Sequence, residues 1–212
     1  MKSVSIIIPN WNGERQLKKN LPLLFSVLAK FNGESEIIII DDQSEDGSRE
    51  YLKELKKERN LTAFGGRNLS RQKQDEIRIS RSKFPNFKVI FNNENVGFGG
   101  SVNKGVRAAR YDIVFLLNTD VEVKTGCFEH LLPHFKKKDV FGVGANADWR
   151  VGRGQFINGY LDISSPKKIK KTCQEAQPSF WVSGGHSAFR KSLWEKLGGF
   201  DPLYAPFYFE ET

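Results

Sequence analysis

The stretch Asp112-Ile113-Val114-Phe115-Leu116-Leu117-Asn118-Thr119-Asp120 decides the fold. Five consecutive apolar residues, mixing β-branched and aromatic types, read as a strand covered on both faces. The run stops at Asn118-Thr119-Asp120, which puts Asp120 at the edge of a sheet and not inside it. In open α/β sheets ligands bind at that edge. A carboxylate fixed there by a rigid strand is a natural seat for a divalent cation bridging phosphate oxygens.

Outward from this strand the chain alternates. Val4–Pro9 is a first strand, and Leu17, Leu21, Leu24, Phe25 and Leu28 follow at helical spacing, with Pro22 expected to break or kink that helix. A second strand, Glu36–Ile40, runs into Asp41-Asp42 and the turn Gln43-Ser44-Glu45-Asp46-Gly47, then a helix with Leu52 and Leu55 inward. Lys88–Phe91 is a third strand, followed by the loop Asn92–Gly100 and a helix carrying Val102, Val106 and Ala109. With the strand quoted above, Lys124–Lys136 (strand end, then helix) completes a fourth unit. Repeated strand–helix units predict an α/β fold with a parallel, doubly wound sheet. Right-handed crossovers then bring the strand ends to one rim.

Beyond Val140–Gly144 the regularity fades, and Ala145–Pro178 shows no clear period. Phe180-Trp181-Val182 resumes apolar character ahead of Ser183-Gly184-Gly185-His186, and a short helix around Arg190–Leu197 is closed by Gly198-Gly199. The final aromatic run Phe207-Tyr208-Phe209 leads straight into Glu210-Glu211, which would expose apolar surface at a terminus. The expectation is one domain over 1–212 that continues past Thr212.

Composition narrows the class. At 212 residues the chain can bury one sizeable core. No apolar stretch approaches the ~20 residues needed to span a bilayer, and with Val4–Ile8 reading as a first core strand no secretory leader is expected. Cys127 and Cys173 belong to no metal-spaced cluster, so a reduced, cytoplasmic chain is the expectation. The formal charge of +8 is concentrated in Lys53–Lys88 and Lys167–Lys171. The basic excursion 61–87 reads either as a solvated loop or as contact with an anionic surface, lipid headgroups or a diphosphate-linked acceptor. Nucleic acid is not expected, since no aromatic stands among the basic residues from Arg67 to Lys83 and no nucleic-acid motif is visible.

Three strand ends bring chemistry to the rim: Pro9-Asn10-Trp11-Asn12, Asp41-Asp42 and Asn118-Thr119-Asp120. Trp11 can stack on a nucleobase, Asp42 can accept an imide N–H, and Asp120, through a metal, would neutralise a diphosphate. The loop Asn95-Val96-Gly97-Phe98-Gly99-Gly100 lacks the third glycine of a dinucleotide fingerprint, Val102 standing there, and it does not follow the first strand. It still allows a helix amino terminus to face phosphate or sugar. A nucleotidyltransferase is disfavoured, because no Gly-rich phosphate loop with a following Arg and Lys follows the first strand. His130 and His134 are spaced like helix zinc ligands, but Pro133 lies between them and no third ligand is evident. His186 sits beside Gly184-Gly185, where small residues leave room for a substrate; a satisfied structural histidine is the other reading. One carboxylate of Glu210-Glu211 can face a cleft, where apolar neighbours would raise it toward a useful general base.

Taken in order, these pieces resemble the GT-A glycosyltransferases of family 2, in particular the bacterial rhamnosyltransferase-like members. The resemblance rests on Val4–Asn12, Ile40–Ser48, Asn95-Val96-Gly97-Phe98 with Asn103-Lys104-Gly105, Phe115–Asp120, Ser183-Gly184-Gly185 with Phe189-Arg190, and Leu197–Asp201 followed by the acidic pair. It implies a Rossmann-like, mostly parallel central sheet flanked by helices. It also implies inverting transfer of a sugar from a nucleoside-diphosphate donor to an acceptor hydroxyl, in polysaccharide or glycolipid synthesis, with Mg²⁺ or Mn²⁺ assisting. The donor would be a UDP- or dTDP-sugar, dTDP-rhamnose the first trial, and the acceptor a saccharide or lipid-linked saccharide at the inner face of the cell membrane.

Carried over by position, Pro9, Asn10, Trp11, Asp42, Asn95, Gly97, Asn118, Thr119 and Asp120 belong to the donor side, Asp120 as metal ligand. Gly184, Gly185 and His186 belong to the acceptor side. Glu211 matches the general base, with Glu210 the next candidate. Asn118 stands where many members have the first Asp of the DXD motif, so metal binding would lean on Asp120 and the donor phosphates. A non-catalytic nucleotide- or sugar-binding domain on this scaffold is the alternative.

Overall fold

A computed structural model describes residues 3–60, 86–145, 150–168 and 176–204. Four strands, β1 (Ser3–Asn10), β2 (Glu34–Asp41), β3 (Asn86–Phe91) and β4 (Ile113–Leu117), run parallel in one sheet. Its full order is β3-β2-β1-β4-β8-β5, with β5 spanning Gly142–Gly144 and β8 spanning His186–Arg190. The sheet departs from a wholly parallel one because β8 is antiparallel to both β4 and β5. That reversal carries His186, the first residue of β8, to the rim where the parallel strands end.

The unbroken apolar runs arise because both faces are covered. Ile6, Ile8, Ile37, Ile39, Ile113, Phe115 and Leu117 pack with α1 (Glu14–Lys30) and α2 (Ser48–Asn60) on one side. Phe128 of α4 (Cys127–Leu131) joins them, edge-on to Phe115 at 5.3 Å between centroids. Ile7, Ile38, Ile40, Val114 and Leu116 face α3 (Gly97–Ala108), Phe189 and Phe200 on the other. Alternate residues thus feed two separate cores, as the period-2 strand geometry requires. Gly105 lets α3 lie close on the sheet: a Cβ there would meet Ile7 Cγ2 at 2.5 Å and Ile40 Cδ1 at 2.6 Å.

Three local expectations need correction. Helix α1 runs unbroken through Pro22. Proline removes only the N–H that would serve the carbonyl of Lys18, and both residues lie on the exposed face, where water can replace it. Lys124 belongs to a loop, not a strand end; α4 starts at Cys127 and tightens into a 3₁₀ turn over Leu132–Lys136 as Pro133 enters. The stretch that showed no period contains a hairpin, β6 (Arg150–Ile157) and β7 (Tyr160–Lys168).

At the end of the sheet away from the rim, α5 (Lys191–Leu197) is tied down by Asp112 and Arg190. Arg190, buried, donates to Asp112 Oδ2 at 3.1 Å and to the carbonyls of Phe135 and Lys137. Burial acts to raise the Asp112 carboxyl, but the Ser192 N–H and the Arg190 guanidinium outweigh it and hold it below its ordinary value. Helix α5 ends at Gly198, φ +92°, and Gly199, φ +78°, in the left-handed region that favours glycine.

Candidate functional site

The register aligns Asn10 with Asp41 and Asp41 with Phe91, so the ends of β1, β2 and β3 form one level line. Two backbone bonds extend that line by a residue: Asp42 N–H to Asn10 O and Asn92 N–H to Asp41 O, both 2.8 Å. The carboxyl ends of the strands therefore present Trp11, Asp42 and Asn92 side by side. The end of β4, next to β1, adds Asn118, Thr119 and Asp120.

Beneath this rim lies a buried polar layer. Asn10, with 2 % of its surface exposed, donates through Nδ2 to Asp41 Oδ2 at 3.0 Å and Ser44 Oγ at 3.1 Å. Asp41, fully buried, also accepts from the Ser44 N–H and from Arg49 at 3.1 Å. Asn10 is thus a clamp turned into the protein, joining β1 to the β2–α2 loop from below. Its Oδ1 is buried without a partner, pressed toward Gly13, where a Cβ would come within 2.3 Å.

Asn12 and Gln43 both adopt left-handed backbone, at φ +52° and +59°. Each uses its amide to brace a neighbouring loop: Asn12 Oδ1 accepts from the Glu45 N–H at 2.8 Å, and Gln43 Oε1 from the Asn95 N–H at 3.0 Å. These two conformations turn the chain sharply after β1 and β2. Trp11 is left 60 % exposed above the clamp, so its ring is available as a stacking face and is not a core residue.

Asp42 is 4 % exposed, and its Oδ1 accepts from Asn92 Nδ2 at 2.7 Å and from the Val96 N–H at 3.0 Å. One oxygen thereby pins the loop that opens α3. Asn92 is the hub the sequence reading missed. Buried at 2 %, it also donates to Ser101 Oγ, accepts from Lys104 Nζ at 2.6 Å, and gives its carbonyl to Arg49. Its signal was the position one residue past β3, level with Asp42. Asn95 and Gly97 are joined by an N–H to Oδ1 bond of 3.0 Å, and Gly97, φ +75°, supplies the turn into α3.

On the β4 side, Asn118 donates its N–H to Gly185 O at 2.8 Å, and its side chain occupies the space a Cβ of residue 185 would need, 2.7 Å from Asn118 Nδ2. Gly185 is thus required by close approach. Thr119 O accepts from Asn20 of α1 at 2.7 Å. These contacts fix the backbone leading into Asp120, which is itself exposed. Gly184 is buried, and His186 Nδ1 lies 3.1 Å from Ser183 Oγ, which also accepts from the Gly185 N–H. Pro9 is half-buried at the end of β1. Glu210 and Glu211 lie outside the described residues, as do 61–85 of the basic excursion and Cys173.

The donor set can be weighed against a divalent cation. Among the described residues no group of three or more His, Cys, Asp or Glu is assembled for a metal. Asp120 offers one hard carboxylate, which suits Mg²⁺ or Mn²⁺ held jointly with phosphate oxygens and water, not a cage closed by protein alone.

Residues 5–198 match the profile of Glycosyl transferase family 2. The chain belongs to that family. It is 30 % identical over 204 residues to an uncharacterized glycosyltransferase of Nostoc sp. (strain PCC 7120), covering 94 % of this chain and 54 % of that protein. It is 23 % identical to the poly-beta-1,6-N-acetyl-D-glucosamine synthase of Staphylococcus epidermidis, covering 95 % and 42 %. The chain spans about half the length of these curated relatives.

Among solved structures, the mannosyltransferase PcManGT of Pyrobaculum calidifontis, in complex with GDP-Man and Mn²⁺, superposes with a TM-score of 0.59 at 16 % identity, over 94 % of this chain and 47 % of that one. S. aureus TarS 1-349 in complex with UDP-GlcNAc gives 0.59 at 20 % identity, over 95 % and 49 %. At these identities the likeness establishes the fold, which is GT-A, with a mostly parallel sheet flanked by helices. This family 2 chain contains no helix, among its described residues, long and apolar enough to cross a membrane.

Proposed function

We propose that this family 2 glycosyltransferase transfers a sugar, with inversion, from a UDP-sugar to an acceptor hydroxyl in the synthesis of a polysaccharide or glycolipid. The observation that carries the reading is the rim itself: an exposed Trp11, a fixed Asp42 and an exposed Asp120 stand at the carboxyl ends of adjacent strands. Trp11 stacks on the base, and Asp42 accepts its imide N–H. The loop after β3, with Asn95 and Gly97, and Asn118-Thr119 border the ribose and diphosphate. Uridine is preferred to thymidine or guanosine because TarS was solved with UDP-GlcNAc and a curated relative is a poly-N-acetylglucosamine synthase. A dTDP-rhamnose donor is the competing trial.

The residues that would hold Mg²⁺ or Mn²⁺ are Asp120 and, through the donor, its own phosphates; when bound, the ion supplies positive charge against the leaving diphosphate. Glu211, or failing that Glu210, takes the proton from the acceptor hydroxyl, whose oxygen attacks the anomeric carbon opposite the departing diphosphate. Gly184, Gly185 and His186 border the acceptor, in the turn before β8 and at its first residue, where that antiparallel strand leaves the rim.

The test is turnover by the intact protein on UDP-GlcNAc, UDP-glucose and dTDP-rhamnose with Mn²⁺, comparing wild type with Glu211→Gln. Transfer or donor hydrolysis that falls about a hundredfold or more in the variant, with donor affinity kept, supports the assignment. Nucleotide binding without any turnover would support a non-catalytic binding domain instead.

A further inference from the structure

The hairpin β6–β7 ends in Phe156-Ile157-Asn158-Gly159-Tyr160, with Asn158 at φ +51° and Gly159 at φ +83° forming the tight turn. Its three large side chains are unusually bare: Phe156 is 81 % exposed, Tyr160 79 % and Ile157 46 %. Gly154, two residues before Phe156 and on the same face of β6, gives its surface to the Phe180 ring; a Cβ there would meet that ring at 2.7 Å. Phe180 is itself half-exposed and meets Trp181 edge-on. Phe156 thus shares its face of the hairpin with Gly154 and the Phe180 ring, while Ile157 and Tyr160, paired across the turn, present the other face of the tip.

Charge accompanies it. Between residues 150 and 171 the sequence carries six basic residues, Arg150, Arg153, Lys167, Lys168, Lys170 and Lys171, against a single acid, Asp162. Arg153 is exposed on β6, three residues from Phe156. Asp162 is engaged by Gln155 across the strands. Strand pairing puts Arg150, Lys167 and Lys168 at the base of the hairpin, behind the aromatic tip. An aromatic tip on a basic hairpin matches an anionic bilayer, whose headgroup region takes the rings and whose charge attracts the basic element.

We propose that the β6–β7 hairpin is a membrane-docking element, inserting Phe156, Ile157 and Tyr160 into the interface of an anionic bilayer. The chain leaves the rim just before the hairpin, where the Ala145 N–H bonds His186 O at 3.0 Å, and returns to it at Ser183–His186. Docking by this tip would hold the proposed acceptor side of the rim close to the lipid surface, where a lipid-linked saccharide presents its hydroxyl.

The experiment is co-sedimentation of the intact protein with phosphatidylcholine vesicles, with or without about 30 mol% phosphatidylglycerol. It compares wild type with Phe156→Ser/Tyr160→Ser, whose exposed positions leave the fold undisturbed. Wild type binds the anionic vesicles, and the double variant binds about tenfold less, because two aromatic rings no longer leave water. A Phe156→Trp variant gains fluorescence that brominated lipid quenches. No vesicle binding by wild type, or binding that the double substitution leaves unchanged, overturns the proposal; the second result would assign adhesion to the basic segments alone. Binding of UDP in solution is read in parallel on both proteins, so loss of docking is separable from loss of the donor site.

Discussion

Asn92 Nδ2 lies 2.7 Å from Asp42 Oδ1, and this bond joins the end of β3 to the carboxylate proposed to read the base. Because Lys104 Nζ holds the other end of the same amide, the orientation of Asn92 is set from α3. Asp42 thus points where three elements agree.

Replacing Asn92 by Ala strips a buried hydrogen bond from Asp42 and leaves Lys104 without its amide acceptor. The cost expected for such a loss is about 1–3 kcal/mol. In calorimetric titration, affinity for UDP falls about tenfold or more while the thermal midpoint drops by several degrees. Asn92→Asp should fare worse for nucleotide, because a second carboxylate then faces Asp42.

Trp11 separates binding from stability. Its ring is largely in solvent, so Trp11→Ala should leave the unfolding midpoint unchanged within error. Loss of base stacking should nevertheless weaken UDP by about 1–3 kcal/mol. Equal affinity in the variant would remove Trp11 from the donor side.

Gly105→Ala tests the close seat of α3 on the sheet. The added methyl would stand 2.5 Å from Ile7 Cγ2, so α3 must shift or strain. Overpacking of this kind costs about 1–3 kcal/mol, read as a lower denaturation midpoint with an unchanged slope.

Asp112 gives a pH signature. Its folded-state carboxyl is held below the ordinary 3.8 by Ser192 and Arg190 against the opposing effect of burial. The stabilisation is therefore present above 3.8 and is lost as pH falls through the lower folded value. Asp112→Asn should be less stable than wild type at neutral pH, and the gap should narrow as the pH drops below 3.8. A gap constant through that range contradicts the ion pair.

Cys127 should be inert. Burial, helped by Glu129, pushes its thiol up to about 11, so almost none is thiolate near neutrality. In a Cys173→Ser background, iodoacetamide at pH 8 should label the folded protein far more slowly than the denatured one.

Much of this was legible in the residues because apolar runs such as Ile37–Ile40 and Ile113–Leu117 have one physical explanation, a strand covered on both sides. The rim followed from where those runs stop. What sequence did not supply was β8: His186-Ser187-Ala188-Phe189-Arg190 holds only two apolar residues, so neither a strand there nor its reversal against β4 was readable. The hairpin was hidden because glycines at 152 and 154 and the charged residues around them blur the alternation. Its Asn158-Gly159 turn was the readable sign. Asn92 escaped notice because a buried asparagine is recognisable only by its partners.

Central to the proposed function is a rim that takes a nucleoside diphosphate with the help of Asp120. Calorimetric titration of UDP into the intact protein, with Mn²⁺ and with chelator, in wild type and Asp120→Ala, tests it most directly. Tightening by Mn²⁺ of about tenfold or more in wild type, absent in the variant, is the predicted result. Binding of UDP that ignores both the metal and the substitution would contradict it.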